Sequence, residues 1–119
     1  MTNEPLVKVA FAPSFQKAIK QLQKRYPHIR DDVQPVIERL IAGETPGDPI
    51  QSAGYRIYKA RLPNRDAQRG KSGGYRVIYY LQVANQVILL LIYAKSDRSD
   101  IGLGEIRAII ADLPETEDK

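Results

Sequence analysis

Two apolar segments separated by a short turn, Tyr75 to Gln82 and Gln86 to Lys95, constrain this chain more than anything else in it. Both are rich in Val, Ile, Leu and Tyr, which favours strands. The turn around Ala84-Asn85 is short enough to join them as an antiparallel hairpin. At their centres both faces are apolar, so these read as central strands of a sheet that is covered on both sides.

The 119 residues leave room for one real core, hence for a single domain over residues 1–119. Ahead of the hairpin, Leu6 to Phe11 alternates loosely and reads as a first strand. Ser14 is placed to cap the next helix, in which Phe15, Ala18, Ile19, Leu22 and Tyr26 recur at helical spacing. Pro27 ends that helix. A second helix carries Ile29, Val33, Ile37, Leu40 and Ile41 on one face, with Asp31 and Asp32 near its start, where the helix dipole favours them. Pro35 suits only a first turn, so this helix is expected to begin nearer Asp32 than Ile29. Gly43 is a stop, and Gly47-Asp48-Pro49 reads as loop. Tyr55 to Leu62 forms the strand before the hairpin, and Pro63 to Gly74 is a longer connection containing Gly70, Gly73 and Gly74. The last helix starts near Asp100 to Gly102 and buries Leu103, Ile106, Ile110 and Leu113. The order β-α-α-β-β-β-α gives an α+β domain: an antiparallel sheet of about four strands, two N-terminal helices and one C-terminal helix.

Composition removes several kinds of chemistry. The chain has no cysteine, which excludes disulfides, thiol catalysis and Cys-based metal sites and fits a reducing compartment. The only histidine, His28, stands next to Pro27, so a His-ligated metal or a Ser-His pair has almost no material. No metal and no small-molecule cofactor is expected. No signal segment opens the chain, and the longest apolar run, Val87 to Ala94, is too short to span a bilayer. The expected location is cytoplasmic, away from any membrane.

The net charge is only +4, so its distribution matters more than its size. Arg56 to Arg76 holds seven basic residues and one acid, Asp66, interleaved with Tyr55, Tyr58 and Tyr75, whereas Asp112, Glu115, Glu117 and Asp118 make an acidic end. A basic middle with aromatic rings fits a nucleic acid, and a solvated, sign-mixed surface fits the charge alone as well. Side chains alternate across a strand, so Tyr55, Ile57, Lys59 and Arg61 share one face, and Gly74, Arg76, Ile78 and Tyr80 share another. In the right register Lys59, Arg61 and Arg76 project into one space, with Lys95 ending the last strand and Arg98 in the following turn. Together these cations could surround one phosphate. Asp97 and Asp100 could pair with Arg98, and no carboxylate of the strands neutralises the rest. Singly, each cation could simply keep the sheet soluble and guard its edge. As a group they oppose like charges across strands, a repulsion that tends to be kept where an anion relieves it. Charge at Arg76 is not needed for strand packing. Arg65, Arg69 and Lys71 lie on the glycine-containing connection, where they could follow a nucleic-acid backbone or stay solvated. Tyr79 and Tyr80 face opposite ways, so at least one packs in the core. Tyr93 shares a strand face with Lys95 and either reaches the cations or packs inward with its hydroxyl at the rim. Gly73-Gly74 lacks the spacing of a phosphate loop and allows a bend or bulge.

The segments YKARL (Tyr58 to Leu62), GKSGGYRVIYYL (Gly70 to Leu81), LLLIYAKSDRSDI (Leu89 to Ile101), the final Glu105-Ile106 pair and GDPI (Gly47 to Ile50) carry a resemblance. In order, and over nearly the whole chain, the sequence resembles the RelE/ParE superfamily of toxins from bacterial type II toxin–antitoxin pairs, in particular its RelE-like and HigB-like ribonuclease branches. The resemblance implies an mRNA interferase, an endoribonuclease that cuts messages on the ribosome, inhibits translation and is silenced by a small cognate antitoxin. It implies that Lys59, Arg61 and Arg76 line the active site, with Lys95 and Arg98 as the basic residues beyond the last strand. Two departures stand out: Ser96 occupies a place where arginine often follows the lysine, and Gly102 occupies that of a functional tyrosine. The cationic cradle is kept and part of the proton-transfer equipment is not, so Tyr93 or a lysine would have to substitute.

Metal-free RNA cleavage turns the 2′-OH on the adjacent phosphorus, and fixed cations supply the electrostatic part. Arg61 and Arg76 are forked donors suited to phosphate oxygens. Arginine holds its proton too tightly to act as a base, whereas lysine can act if neighbouring cations lower its pKa. Lys59 is therefore the expected base or proton shuttle and Lys95 the alternative, with Arg69, Lys71, Tyr93 and Arg98 as substrate-binding residues. Two rivals remain: a ParE-like, non-catalytic inhibitor of DNA gyrase, and a nucleic-acid-binding domain without toxicity.

Overall fold

The computed structural model describes residues 7–52, 54–67, 74–83 and 85–114. Leu6, Arg69, Gly70, Lys71, Gly73, Ala84 and the acidic residues from Glu115 onward lie outside these ranges. The elements run β1 (Lys8–Phe11), α1 (Pro13–Gln23), α2 (Ile29–Ile41), β2 (Asp48–Ile50), β3 (Ile57–Leu62), β4 (Tyr75–Val83), β5 (Gln86–Ala94) and α3 (Leu103–Ala111). They build the expected α+β architecture on one five-stranded sheet of order β1-β5-β4-β3-β2. The hairpin β4–β5 lies at its centre, antiparallel, with Val83 opposite Gln86 across the turn.

The sheet differs from the expected one at both edges. β1 pairs with β5 in parallel, Val9 opposite Val87 and Phe11 opposite Leu89, so the sheet is mixed. β2, expected as loop, adds a three-residue edge strand opposite β3, with Pro49 across from Tyr58. Proline has no N–H for a ladder, which confines it to an edge and disguises the strand as a turn.

Helices cover both faces. α1 and α2 bury Phe15, Ile19, Leu22, Ile29, Val33, Val36 and Leu40 against Ala60, Leu62, Val77, Tyr79, Leu89 and Ile92. α3 and its lead-in bury Ile101 and Ile106 against Ile57, Ile78, Leu90 and Tyr93. A bulge in β5 keeps this division: Ile78 faces Leu91 while Tyr79 faces Leu89, so Leu90 and Leu91 both join the α3 side. Tyr79 packs toward α2, stacks on Tyr58 at 5.3 Å and donates its hydroxyl to Pro46 O at 2.6 Å. Tyr80, on the other face, meets Tyr55 edge-on at 5.6 Å.

Three helix expectations are corrected. Ser14 does not cap α1: Ala12 is the N-cap, Pro13 opens the helix, and Ser14 Oγ donates to Leu90 O at 2.6 Å, tying α1 to β5. α2 begins at Ile29 and carries Pro35 in its interior. The missing N–H costs about 3 kcal/mol in an isolated helix, and the helix runs through because fully buried Ile29 and Leu40 anchor both of its ends. Ile110 and Leu113 are only half-buried, and Ile106 alone in α3 is fully enclosed.

Two glycines have no substitute. Gly74 enters β4 at φ +66°, and a Cβ there would sit 2.0 Å from Leu62 O. Gly47, at φ +94°, would collide with Lys59 O at 2.2 Å. Gly43, at φ +92°, ends α2 with nothing within 4 Å. Gly43→Ala should therefore cost only the left-handed backbone penalty of about 1–2 kcal/mol. Gly74→Ala adds the overlap with β3 and should lower the thermal midpoint clearly further. Equal midpoints for the two variants would show that β3 and β4 are not held at this separation.

Candidate functional site

The antiparallel register settles where the strand cations go. Arg61 lies directly opposite Arg76, and Arg76 lies opposite Tyr93. Lys59 is two residues from Arg61 on β3, so all three cations project from the sheet face that α3 partly covers. The centre of that face is apolar and closed by α3. The cations stand toward its open end, where β3 finishes and β4 begins.

Their environments differ. Arg61 is exposed. Arg76 is 8% exposed, against the expectation that its charge is unconnected with packing: its stem is enclosed by the sheet, and Nη1 donates to Tyr75 O at 3.3 Å. Lys59 is half-buried and donates to Asp100 Oδ1 at 2.9 Å. It therefore stands beside a carboxylate, not among cations alone, and Asp48 of β2 is its register partner, a strand carboxylate where none was expected. The same Oδ1 accepts Ile101 N–H at 2.8 Å, and these two bonds, Lys59 first, hold the Asp100 carboxyl below the usual carboxylate range.

The segment after β5 also corrects the expected pairings. Asp97 takes Arg25, in the turn that follows α1, not Arg98. Arg98 forms a forked pair with Glu105 of α3 at 2.8 and 3.4 Å and meets Asp100 only through its main-chain oxygen, at 3.1 Å. Its guanidinium lies over the Tyr93 ring, 5.4 Å from the centroid. Lys95 is half-exposed in the turn, its N–H bonded to Gly74 O at 2.8 Å. Ser96 is exposed, and Gly102 is the N-cap of α3, so neither supplies the missing proton-transfer group.

Tyr93 is a core residue at 5% exposure, with a hydroxyl that has no hydrogen-bond partner among the described residues. Burial pushes its pKa up, while the nearby charges of Lys59, Arg76 and Arg98 pull it back and Asp100 pushes it further. The candidate cluster is thus Lys59, Arg76 and Arg98 about Tyr93, with Asp100 inside the group and Arg61 one strand further out, opposite Arg76. Asp100 was expected to pair with Arg98; its pairing with Lys59 went unseen because the two lie 41 residues apart in sequence, and the segment between β5 and α3 brings them together.

Arg65 belongs elsewhere. Its side chain and N–H both bind the Asp32 carboxylate, at 2.8 and 3.0 Å, and that carboxylate is buried. Beside it, Asp66 accepts His28 N–H at 2.7 Å and pairs with the His28 ring at 2.8 Å, tying the β3–β4 connection to the N-cap residue of α2. Arg69 and Lys71 lie outside the described residues. A groove of about 480 Å³ opens between α1 and α2, remote from the cations, lined by Phe11, Phe15, Ile19, Val33 and Ile37. No described helix is long and apolar enough to cross a membrane.

Residues 15–112 match the family model described as the RelE toxin of the RelE / RelB toxin-antitoxin system. No curated protein matches the chain.

Two measurements test this geometry. Arg61 is exposed and faces another arginine, so Arg61→Gln should leave the thermal midpoint unchanged or raise it by the equivalent of about 0.2–1 kcal/mol; a clear fall would show that Arg61 holds the sheet. The His28–Asp66 pair should give a pH window. Asp66 raises the His28 pKa above 6.5, so that contribution is complete below pH 6.5 and fades as pH rises through the folded value. His28 lowers the Asp66 pKa below 3.8, so that contribution is present above pH 3.8 and fades as pH falls further. The stability gap between the parent and His28→Gln should be widest between those limits, and a gap independent of pH would show that the pair contributes nothing.

Proposed function

Because the chain belongs to the RelE toxin family of RelE/RelB toxin–antitoxin systems, we propose that it arrests translation as an endoribonuclease cutting messages on the ribosome. It is a toxin whose partner is a cognate RelB-type antitoxin. The observation that supports the finer reading is the placement of Arg61 opposite Arg76, with Lys59 on the same face. Like charges brought together at the open end of a face lower the stability of the sheet and suit an anion.

The proposed reaction uses the RNA's own 2′-OH. Its oxygen attacks the adjacent phosphorus, the bond to the leaving 5′-oxygen breaks, and one proton leaves the 2′-oxygen while another reaches the 5′-oxygen. Arg61 and Arg76 hold the non-bridging oxygens as forked donors while charge grows on them. Lys59 is the proposed proton shuttle, with Lys95 as the alternative. Arg98, lying on the Tyr93 ring, extends the positive surface for substrate, and Arg69 and Lys71 are proposed to follow the backbone. A site with so few proton-transfer groups leans on ordered substrate, which fits a message held by the ribosome in the cytoplasm.

Message cleavage on programmed ribosomes tests the reading. Arg76→Lys keeps the charge and the enclosed stem while losing the fork, and Lys59→Arg keeps the charge while losing the transferable proton. Losing one preorganised donor typically costs about 10²–10³ in rate, and both variants should fall by an amount of that order with unchanged midpoints. A parent protein that leaves messages intact while DNA gyrase stalls would replace this reading with the gyrase-inhibitor one.

A further inference from the structure

Among the described residues, the lead-in to α3 and its first turn supply carboxylates to two of the cluster's cations. Asp100 takes Lys59 at 2.9 Å and Glu105 takes Arg98 at 2.8 Å. Asp100 is the closer to the strand cations. It is fixed from below by Ile101 N–H and is the residue whose charge reaches Lys59, Arg98 and Tyr93 together. Its side chain is 67% exposed, so the pair faces solvent at the open end of the face.

We propose that Asp100 is a built-in competitor for the RNA phosphate: it occupies the Lys59 ammonium until a substrate phosphate displaces it, and so sets the affinity of the site. The inference rests on the ribonuclease reading above and adds a selectivity to it. A loosely held phosphate of free RNA gains a Lys59 contact only by breaking one of similar strength. A strand presented in fixed register, engaging Arg61 and Arg76 at once, gains the forked contacts without paying the same ordering cost and so displaces the carboxylate. Asp100 thereby disfavours free RNA relative to a message held on the ribosome.

The test is binding, by fluorescence anisotropy at one fixed low salt, of a single-stranded RNA methylated at every 2′-oxygen so that it cannot be cut. Asp100→Asn removes the charge and keeps an oxygen for Ile101 N–H; Asp100→Ser does the same with a shorter side chain, should the first variant lose its fold. Releasing a surface ion pair should tighten binding about two- to fivefold. Asp97→Asn changes the net charge equally but frees Arg25 instead, and should tighten it much less. In a Lys59→Gln background, which itself weakens binding, Asp100→Asn should give no further gain beyond that of Asp97→Asn. Equal gains from Asp100→Asn and Asp97→Asn, or weaker binding by Asp100→Asn, would overturn the competitor role and leave the anion site standing. If Lys59→Gln and Arg61→Gln both bind RNA as the parent does, the anion site itself fails, and the competitor with it.

Discussion

The register of β3, β4 and β5 is the constraint on which the rest depends. With Arg61 opposite Arg76 and Arg76 opposite Tyr93, odd and even positions of each strand are assigned to one helical layer or the other. A slip of one residue would turn Arg76 and Lys59 into the apolar layer beneath α1 and α2 and turn Val77 and Ala60 out of it. The cost of enclosing those charges forbids it. The β5 bulge at Leu90 then keeps Tyr93 on the α3 side. The apolar pattern that specifies the fold therefore also collects the cations.

Charge around the sheet is organised, not merely abundant. Lys59, Arg98, Arg25 and Arg65 each have a carboxylate, and each pair joins separate elements or turns: β3 to the α3 lead-in, the turn after β5 to α3, the turn after α1 to that same turn, and the β3–β4 connection to α2. Arg61 and Arg76 are the cluster members that face one another across the ladder. Positive charge is thus concentrated at the β3–β4 rim, with Asp100 and Glu105 to the side of α3.

The sequence made the central hairpin, the helix pair and the final helix legible, because runs such as VILLLIYA and the spacing of Phe15, Ile19 and Leu22 report burial directly. Strand parity also put Lys59, Arg61 and Arg76 on one face. What it concealed came from partners distant in sequence. The parallel pairing of β1 with β5 leaves no turn signal, and β2 hides behind Pro49. Ser14 looks like a cap but bonds to Leu90, 76 residues away. Asp32 looks like a dipole residue of α2 but is the buried anchor of Arg65. Arg76 looks like a solvent-facing strand residue and is enclosed, because covering both faces of the sheet leaves little solvent along its central strand.

On the proposed reading, the magnitudes fit a site without a strong acid–base pair. The 2′-oxygen is already tethered beside its phosphorus, so what remains to be supplied is in-line geometry, while each preorganised donor adds about 10²–10³ in rate. The cradle supplies that geometry poorly to free RNA: Arg61 is exposed, Lys59 is engaged by Asp100, and the Tyr93 hydroxyl is enclosed. The donors are in place before substrate arrives and the alignment is not. A chain built this way gains most from a surface that fixes the message for it, so dependence on the ribosome follows from how the proposed catalytic work is divided between donors and alignment.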